Sequence, residues 1–283
     1  MNRNRSAADR HGLPGALAGY TMMLLIAALV LVPVAFIVLT SFKERPDIYT
    51  QPVTWLPDPF TGGNYTAVNE TVPFTRYFLN SVLITGVLTV VQVALGTVMA
   101  FALVFLDFPG RKLLFLVVIA SLMVPNQITV ISNYALVSEL GWRNTFQGII
   151  VPLAGVAFGT YLMRNHFMSL PREIVEAARM DGAGPLKLLF RILLPMSWPT
   201  LVAFTLITVV TEWNQYLWPF LMADTAEVAP LPVGLTLLQN NEGSVNWGPV
   251  MAGTVLTMLP ILAVFLVLQR QMIKGLTAGA VKG

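Results

Sequence analysis

The chain has 283 residues, of which 55% are hydrophobic and only 11% charged, whereas a soluble domain is nearer a quarter charged. Apolar runs of about 20 residues recur, so the composition excludes a lone soluble domain and reads as an all-α, polytopic membrane protein. A net charge of +3 is then no argument for nucleic acid, and the absence of cysteine excludes disulfides and thiol chemistry.

Residues 1–16 form a polar N-terminal arm with Arg3, Arg5 and Arg10. The first span is predicted over 17–42; it is too long for a signal-peptide core and lacks a clear cleavage site. A polar loop rich in proline and aromatics covers 43–77, and the second span covers 78–105. A tight basic turn, Asp107-Phe-Pro-Gly-Arg-Lys112, leads into the third span, 113–134, which Pro125 interrupts. Loss of the Pro125 N–H predicts a freed carbonyl near residue 121 and a bend. The fourth span is 146–168. A charged stretch, 169–195, precedes the fifth span, 197–222. The loop 223–249 contains no lysine or arginine. The sixth span is 250–270, and a tail, 271–283, follows.

Six spans put both termini on one side of a lipid bilayer. The arm, the 106–112 turn, the 164–196 stretch, Arg270 and the tail hold thirteen of the seventeen Lys and Arg residues. The other loops hold Lys43, Arg45, Arg76 and Arg143. The positive-inside rule makes the first set cytoplasmic. There is no internal repeat, and six helices without one make a poor alternating-access machine alone. A second half, from another chain or another copy, is expected.

The charged stretch reads as two short surface helices. Ser169 is placed to cap the first, with Pro171 in its first turn and Glu173 and Glu176 early, where the helix dipole favours anions. Ile174, Ala177 and Ala178 share a face by spacing. Gly182 stops this helix, and Leu186 to Leu193 can form a second one before Pro195. Such a small-residue face suits docking into another protein's groove; the plain alternative is a loop that only connects two spans.

Glu176-Ala177-Ala178, then Gly182, then Ile192-x-Leu194-Pro195 resembles the cytoplasmic "EAA" signature of bacterial ABC importer permeases. The end, Gly275 to Gly283, resembles the tail of the second permease of maltose-type carbohydrate importers. Asn80-Ser81 and Ser41-Phe42-Lys43 also fit. Within that family, Trp213-Asn-Gln-Tyr-Leu-Trp-Pro-Phe220, Trp247 and Leu268 to Leu276 are similar to the permeases of glycerol-3-phosphate or glycerophosphodiester importers. Actinobacterial versions look especially close over Met123 to Tyr134.

The resemblance implies the six-helix fold of type I importer permeases, in the bacterial cytoplasmic membrane. It implies a second permease, an ATPase dimer and an extracytoplasmic substrate-binding protein as partners. ATPase coupling would fall to Glu176, Ala177, Ala178, Asp181, Gly182, Ile192, Leu194 and Pro195, with Lys282 and Gly283 reaching the ATPase interface. Glu176 would accept charge-assisted hydrogen bonds; otherwise it is a solvated first-turn acid. The sequence has no G-x-x-x-x-G-K-[ST] loop, so ATP and Mg are expected on partner subunits and the chain itself is expected not to be an enzyme.

Polar groups inside spans face protein or water rather than lipid. Thr205, Thr208, Glu212 and Gln215 or Tyr216 fall on one face of the fifth span. With Trp213, Asn214 and Trp218, and with Asn126, Gln127 and Asn133 from the third, they make a candidate substrate path. Glu212 is the one ionisable residue deep in a span. Beside aromatics it suits a cationic or hydroxyl-rich group; alternatively it pairs with a neighbouring helix. As a proton site, it would instead make the chain a secondary carrier. Both histidines, His11 and His166, lie at cytoplasmic ends, which argues against a membrane-embedded enzyme.

Overall fold

The computed structural model describes residues 13–239 and 245–277, and these are helical with short connections. In chain order the helices are α1 Leu13–Thr40, α2 Arg45–Ile48, α3 Gly63–Thr71, α4 Phe74–Phe105, α5 Arg111–Leu122, α6 Asn126–Glu139, α7 Phe146–Leu153 and α8 Ala157–Ser169. Then come α9 Arg172–Met180, the helical run α10 Pro185–Met196, α11 Trp198–Trp213, α12 Leu217–Met222, α13 Leu231–Leu237 and α14 Trp247–Thr277. Among the described residues, α1, α4 and α14 are each long and apolar enough to cross a membrane unbroken, and three bent pairs, α5–α6, α7–α8 and α10–α11, bring the possible crossings to six.

The long helices and bent pairs fall along the segments where the six spans are predicted, and the details differ. The third is broken at Pro125 as expected, and the fourth, expected to be continuous, is broken too. Met123–Pro125 separates α5 from α6, which runs on past residue 134 to Glu139, and α7 meets α8 at 40°. The carbonyl of Ser121 is not free: the Val124 N–H takes it at 3.3 Å, closing the helix end with a tight turn. The fifth span ends its helix at Trp213, so Gln215 and Tyr216 do not continue the face of Glu212. The sixth begins at Trp247 and stays helical through Thr277, taking in the first part of the expected tail. The loops predicted at 43–77 and 223–249 contain α3 and α13.

The chain divides into two compact units. One holds the described residues up to Thr71 together with Leu238–Val255. Its polar anchor is Lys43, 2% exposed, whose ammonium donates to the Thr54 carbonyl and to the Thr54 hydroxyl at 2.9 Å, and lies 3.6 Å from Asp47. Asn64 donates to the carbonyls of Ser41 and Lys43, which fixes α3 to the end of α1. The Ser41-Phe42-Lys43 signature is therefore a structural latch for the 43–61 loop. The Thr54 hydroxyl, donating at 2.7 Å, and with it the Lys43 ammonium, holds the Asp47 carboxyl below its ordinary range. A depressed carboxylate stabilises above its unfolded value and loses that contribution as pH falls through the lowered one. The loop should therefore resist protease at neutral pH and lose that resistance as pH falls through the lowered range of the Asp47 carboxyl, while Lys43→Met should expose it at pH 7; limited proteolysis followed by mass spectrometry reads both.

The second unit holds Val72–Leu237 with Leu256 onward. Its axis is α4, which packs chiefly on α8 and α11. Among the buried residues of α4, the small or hydroxylated Ser81, Thr85, Thr89, Gly96, Thr97 and Ala100 recur at helical spacing beside larger ones such as Ile84, Leu88 and Phe101. Lipid supplies no hydrophobic force between helices, so small residues that permit close approach do the joining. Gly96 faces the backbone of Gly159 on α8, and a Cβ on Gly159 would land 1.9 Å from the Phe204 ring of α11. At the other end of α4, Asn80 donates to the carbonyls of Ala226 and Ala229, and the Ser81 hydroxyl accepts the Leu231 N–H at 2.7 Å. These bonds tie the approach to α13 onto the bundle, and they give the Asn80-Ser81 pair a structural role.

Candidate functional site

The surface helix α9 is short and strongly two-sided. Glu173 in its first turn and Arg179 in its last complement the helix dipole. Ser169 does not cap it. That hydroxyl donates back to the His166 carbonyl at 2.7 Å, because Ser169 is the last residue of α8, and Pro171 takes the N-cap position without a side-chain bond. Gly182 closes the helix at φ +73°. The Gly182 N–H reaches Arg179 and the Ala183 N–H reaches Ala178, at 3.0 and 2.9 Å. This pair of bonds is a Schellman closure, which favours glycine at the left-handed position.

The two faces of α9 differ from the sequence expectation in one respect. Val175 and Ala178 turn inward and join a core with Phe101, Met163, Phe167 and Leu189. Ala178 therefore does not share a surface with Ile174 and Ala177. The outer face carries Ile174, Ala177 and Met180, the last 88% exposed. Glu176 and Asp181 are exposed beside them.

After Gly184 the chain runs as α10 and bends by 82° into α11. Pro195 does not end this run, because the helix accommodates it. Leu189–Leu193 form a wide π-type turn in which the Leu194 N–H reaches back five residues to Leu189. A proline lacks the N–H and crowds the carbonyl four residues earlier, and the widened turn relieves that crowding. Ile192 and Leu194 pack at the edge of the same core as α9, so the two halves of the motif are one packed body. His166 adds a tie from α8 to α11 through Thr200, at 3.1 Å.

The second polar locus lies inside the bundle. Glu212, on the last turn of α11 and 8% exposed, accepts from the Gln92 side-chain amide of α4 at 2.9 Å. The same nitrogen donates to the Leu153 carbonyl at 2.8 Å, at the end of α7 just before the α7–α8 break. The other carboxylate oxygen, Oε2, is buried and without a partner. Sequence reasoning missed Gln92; its signal was a lone amide in the middle of a long apolar span.

Of the other predicted path residues, Thr208 and Trp213 are buried on the helix that carries Glu212, and the Trp213 indole donates to the Thr257 carbonyl. The Trp218 indole is buried too, but bonds to Gly148 of α7. Asn214 caps α11 by donating to the Val210 carbonyl, and Tyr216, 38% exposed, stacks on Phe220. Gln127 is exposed and Asn133 half-buried on α6, and no bond joins them to Glu212 among the described contacts. The side chain of Asn126, together with Lys282 and Gly283, lies outside the described residues. Among the described residues no cluster of acids and histidines could hold a metal ion.

Apolar helices long enough to cross a membrane, a buried acid clasp and an exposed two-sided surface helix together describe a membrane-embedded helical protein. Over residues 92–277 the chain matches the family described as binding-protein-dependent transport system inner membrane component. The chain belongs to this family. It is 32% identical over 275 residues to the sn-glycerol-3-phosphate transport system permease protein UgpE of Pectobacterium atrosepticum, covering 95% of this chain and 97% of that protein. It is 31% identical over 264 residues to the protein of that name from Yersinia enterocolitica, covering 91% and 94%. Its fold is shared with a chain from the crystal structure of a bacterial ABC transporter involved in the import of the acidic polysaccharide alginate. That likeness has a TM-score of 0.82 at 24% identity, over 95% of this chain and 99% of the other.

Proposed function

We propose that this chain is the permease half of an ATP-driven importer that carries glycerol 3-phosphate or glycerophosphodiesters such as glycerophosphocholine. The observation that carries this reading is α9, anchored by Val175 and Ala178 and displaying Ile174, Ala177 and Met180 on its exposed face. That face fits the groove of an ATPase subunit, and Gly182 with the packed Ile192-x-Leu194-Pro195 segment passes its motion to α11. The relatives named for sn-glycerol-3-phosphate transport support the substrate class.

The importer comprises this chain, a second permease, an ATPase dimer holding ATP and Mg, and an extracytoplasmic substrate-binding protein. The distribution of basic residues supports a cytoplasmic side for both termini and α9, and Lys282 and Gly283 are assigned a part in the contact with the ATPase. The substrate passes Thr208, Glu212 and Trp213, and no lysine or arginine accompanies them, so a phosphate clamp belongs to the second permease or to backbone N–H groups. That uncharged-donor environment, with one acid beside an indole, favours a second reading in which a sugar or oligosaccharide is the cargo.

The test is ATPase stimulation of the reconstituted complex with its binding protein by glycerol 3-phosphate, glycerophosphocholine, maltose and trehalose. Stimulation by the first two is expected. Stimulation by the sugars alone would replace the first reading with the second. Uptake that follows membrane potential without ATP would overturn both and return Glu212 to the role of a proton site.

A further inference from the structure

A cleft of about 540 Å³ opens where α4 and α8 end and α5 and α9 begin. Its lining is amphiphilic. Phe105, Phe115 and Phe167 make the apolar wall, and Arg111, Lys112, Arg164, Arg172 and Arg179 supply five cations against the two acids Asp107 and Glu176. Asp107 is spent on Arg111, at 3.1 Å, and is 98% exposed. Arg179 donates to the Phe105 carbonyl at 3.0 Å. Arg164 stands with its guanidinium 3.7 Å from the centre of the Phe115 ring, and its Nε is buried with no acceptor. A buried charged donor without an acceptor is costly, so an anion in the cleft would complete it.

Three spans terminate around this cleft. That puts it at the depth of the bilayer headgroups, on the side where the proposed orientation places α9, so the inference rests on that orientation. Basic pockets between spans at this depth take phosphate headgroups, and the phenylalanine wall offers a surface for the start of an acyl chain.

We propose that this cleft binds the phosphate of an anionic phospholipid, with Arg164 and Lys112 as its principal cationic contacts and Arg172 bringing it against α9. The site links membrane composition to the helix that takes the ATPase stroke. Shared phosphate chemistry admits a free anion as the other source, and the experiment separates them.

The assembled transporter is placed in nanodiscs of phosphatidylcholine with or without phosphatidylglycerol, and retained lipid is counted by native mass spectrometry after detergent release. The wild type should hold phosphatidylglycerol and exclude phosphatidylcholine. Lys112→Gln with Arg164→Gln should lower retention about tenfold or more, whereas Arg143→Gln, outside the cleft, should not. Lys112 is exposed, so its single replacement keeps the arm readable if the Arg164 variant folds poorly. Equal retention in wild type and variants, displacement of the lipid by millimolar inorganic phosphate, or retention only when the ATPase subunits are absent would each overturn the proposal. Labelling of Lys187→Cys from either side of sealed vesicles checks the orientation separately, so a failure of the site is not confused with a failure of the topology.

Discussion

Replacing Gly182 by valine should abolish ATP-driven uptake while leaving the chain inserted in the membrane. The φ of +73° is the reason. A left-handed residue other than glycine costs about 1–2 kcal/mol, and more when β-branched. No neighbour lies within 4 Å of where a Cβ would be, so crowding is not the cause and the loss is one of backbone conformation. The chain can relieve the strain only by breaking the bonds from Gly182 and Ala183 to Arg179 and Ala178, which close α9. The helix then runs on or frays, and Ile174, Ala177 and Met180 no longer present one face. Uptake should fall to background, since a helix that no longer presents its face cannot take up the stroke, while Gly182→Asn, which tolerates the same φ, should retain most of it. Uptake and ATP hydrolysis measured together in proteoliposomes decide the matter. Normal coupling in the valine variant would show that α9 is not where the ATPase takes hold.

The second large effect is expected at Gln92. Gln92→Leu removes the amide that serves both Glu212 and the Leu153 carbonyl. It leaves a buried carboxyl with neither oxygen bonded, because Oε2 already lacks a partner. Such a group costs about 1–3 kcal/mol, although measured bonds between membrane helices average nearer about 0.6 kcal/mol. The melting temperature of the solubilised complex should drop by several degrees in Gln92→Leu. It should recover most of that in the double variant with Glu212→Leu, because the orphaned acid is gone. Non-additivity of about 1 kcal/mol or more in this cycle is the expected result; strict additivity would dissolve the clasp. Glu212→Gln keeps the shape while removing the charge. A folded Glu212→Gln transporter that moves every candidate substrate at the wild-type rate would leave the pair a purely structural joint.

Much of this architecture was legible from hydropathy alone. The spans appear because about 20 apolar residues in lipid have no alternative to helix, and Gly182 was recognisable because a glycine after a charged helix has few other uses. What periodicity did not carry is where a crossing breaks. Met123–Pro125 was signalled by its proline, but the breaks at Ala154–Val156 and Asn214–Tyr216 fall inside stretches whose hydropathy reads as one span, although Pro152 and Gly155 at the first and the polar Asn214-Gln215 at the second are local signals. Their cause is tertiary: Gln92 occupies the Leu153 carbonyl, and Trp218 turns to bond Gly148. Ser169 misled for a simpler reason, because a serine two residues before a proline suits either helix end. On α9 the misplaced residue was Ala178, which joins Val175 in the core that holds Phe101 and Phe167, while Ile174 and Ala177 stay exposed. A spacing rule cannot choose between two apolar neighbours when the partner surface is unknown.

The widened turn at Leu189–Leu193 bears on how this region is compared with its relatives. One surplus residue in a turn advances everything after it by about 100° around the helix axis. Side chains on either side of Leu194 are therefore out of phase, and a helical-wheel drawing carried through from Pro185 into α11 would assign Thr208 and Glu212 to the wrong azimuth. A relative lacking that surplus would show the same letters to a different neighbour, so equivalence here has to be judged in three dimensions, not by counting along the chain.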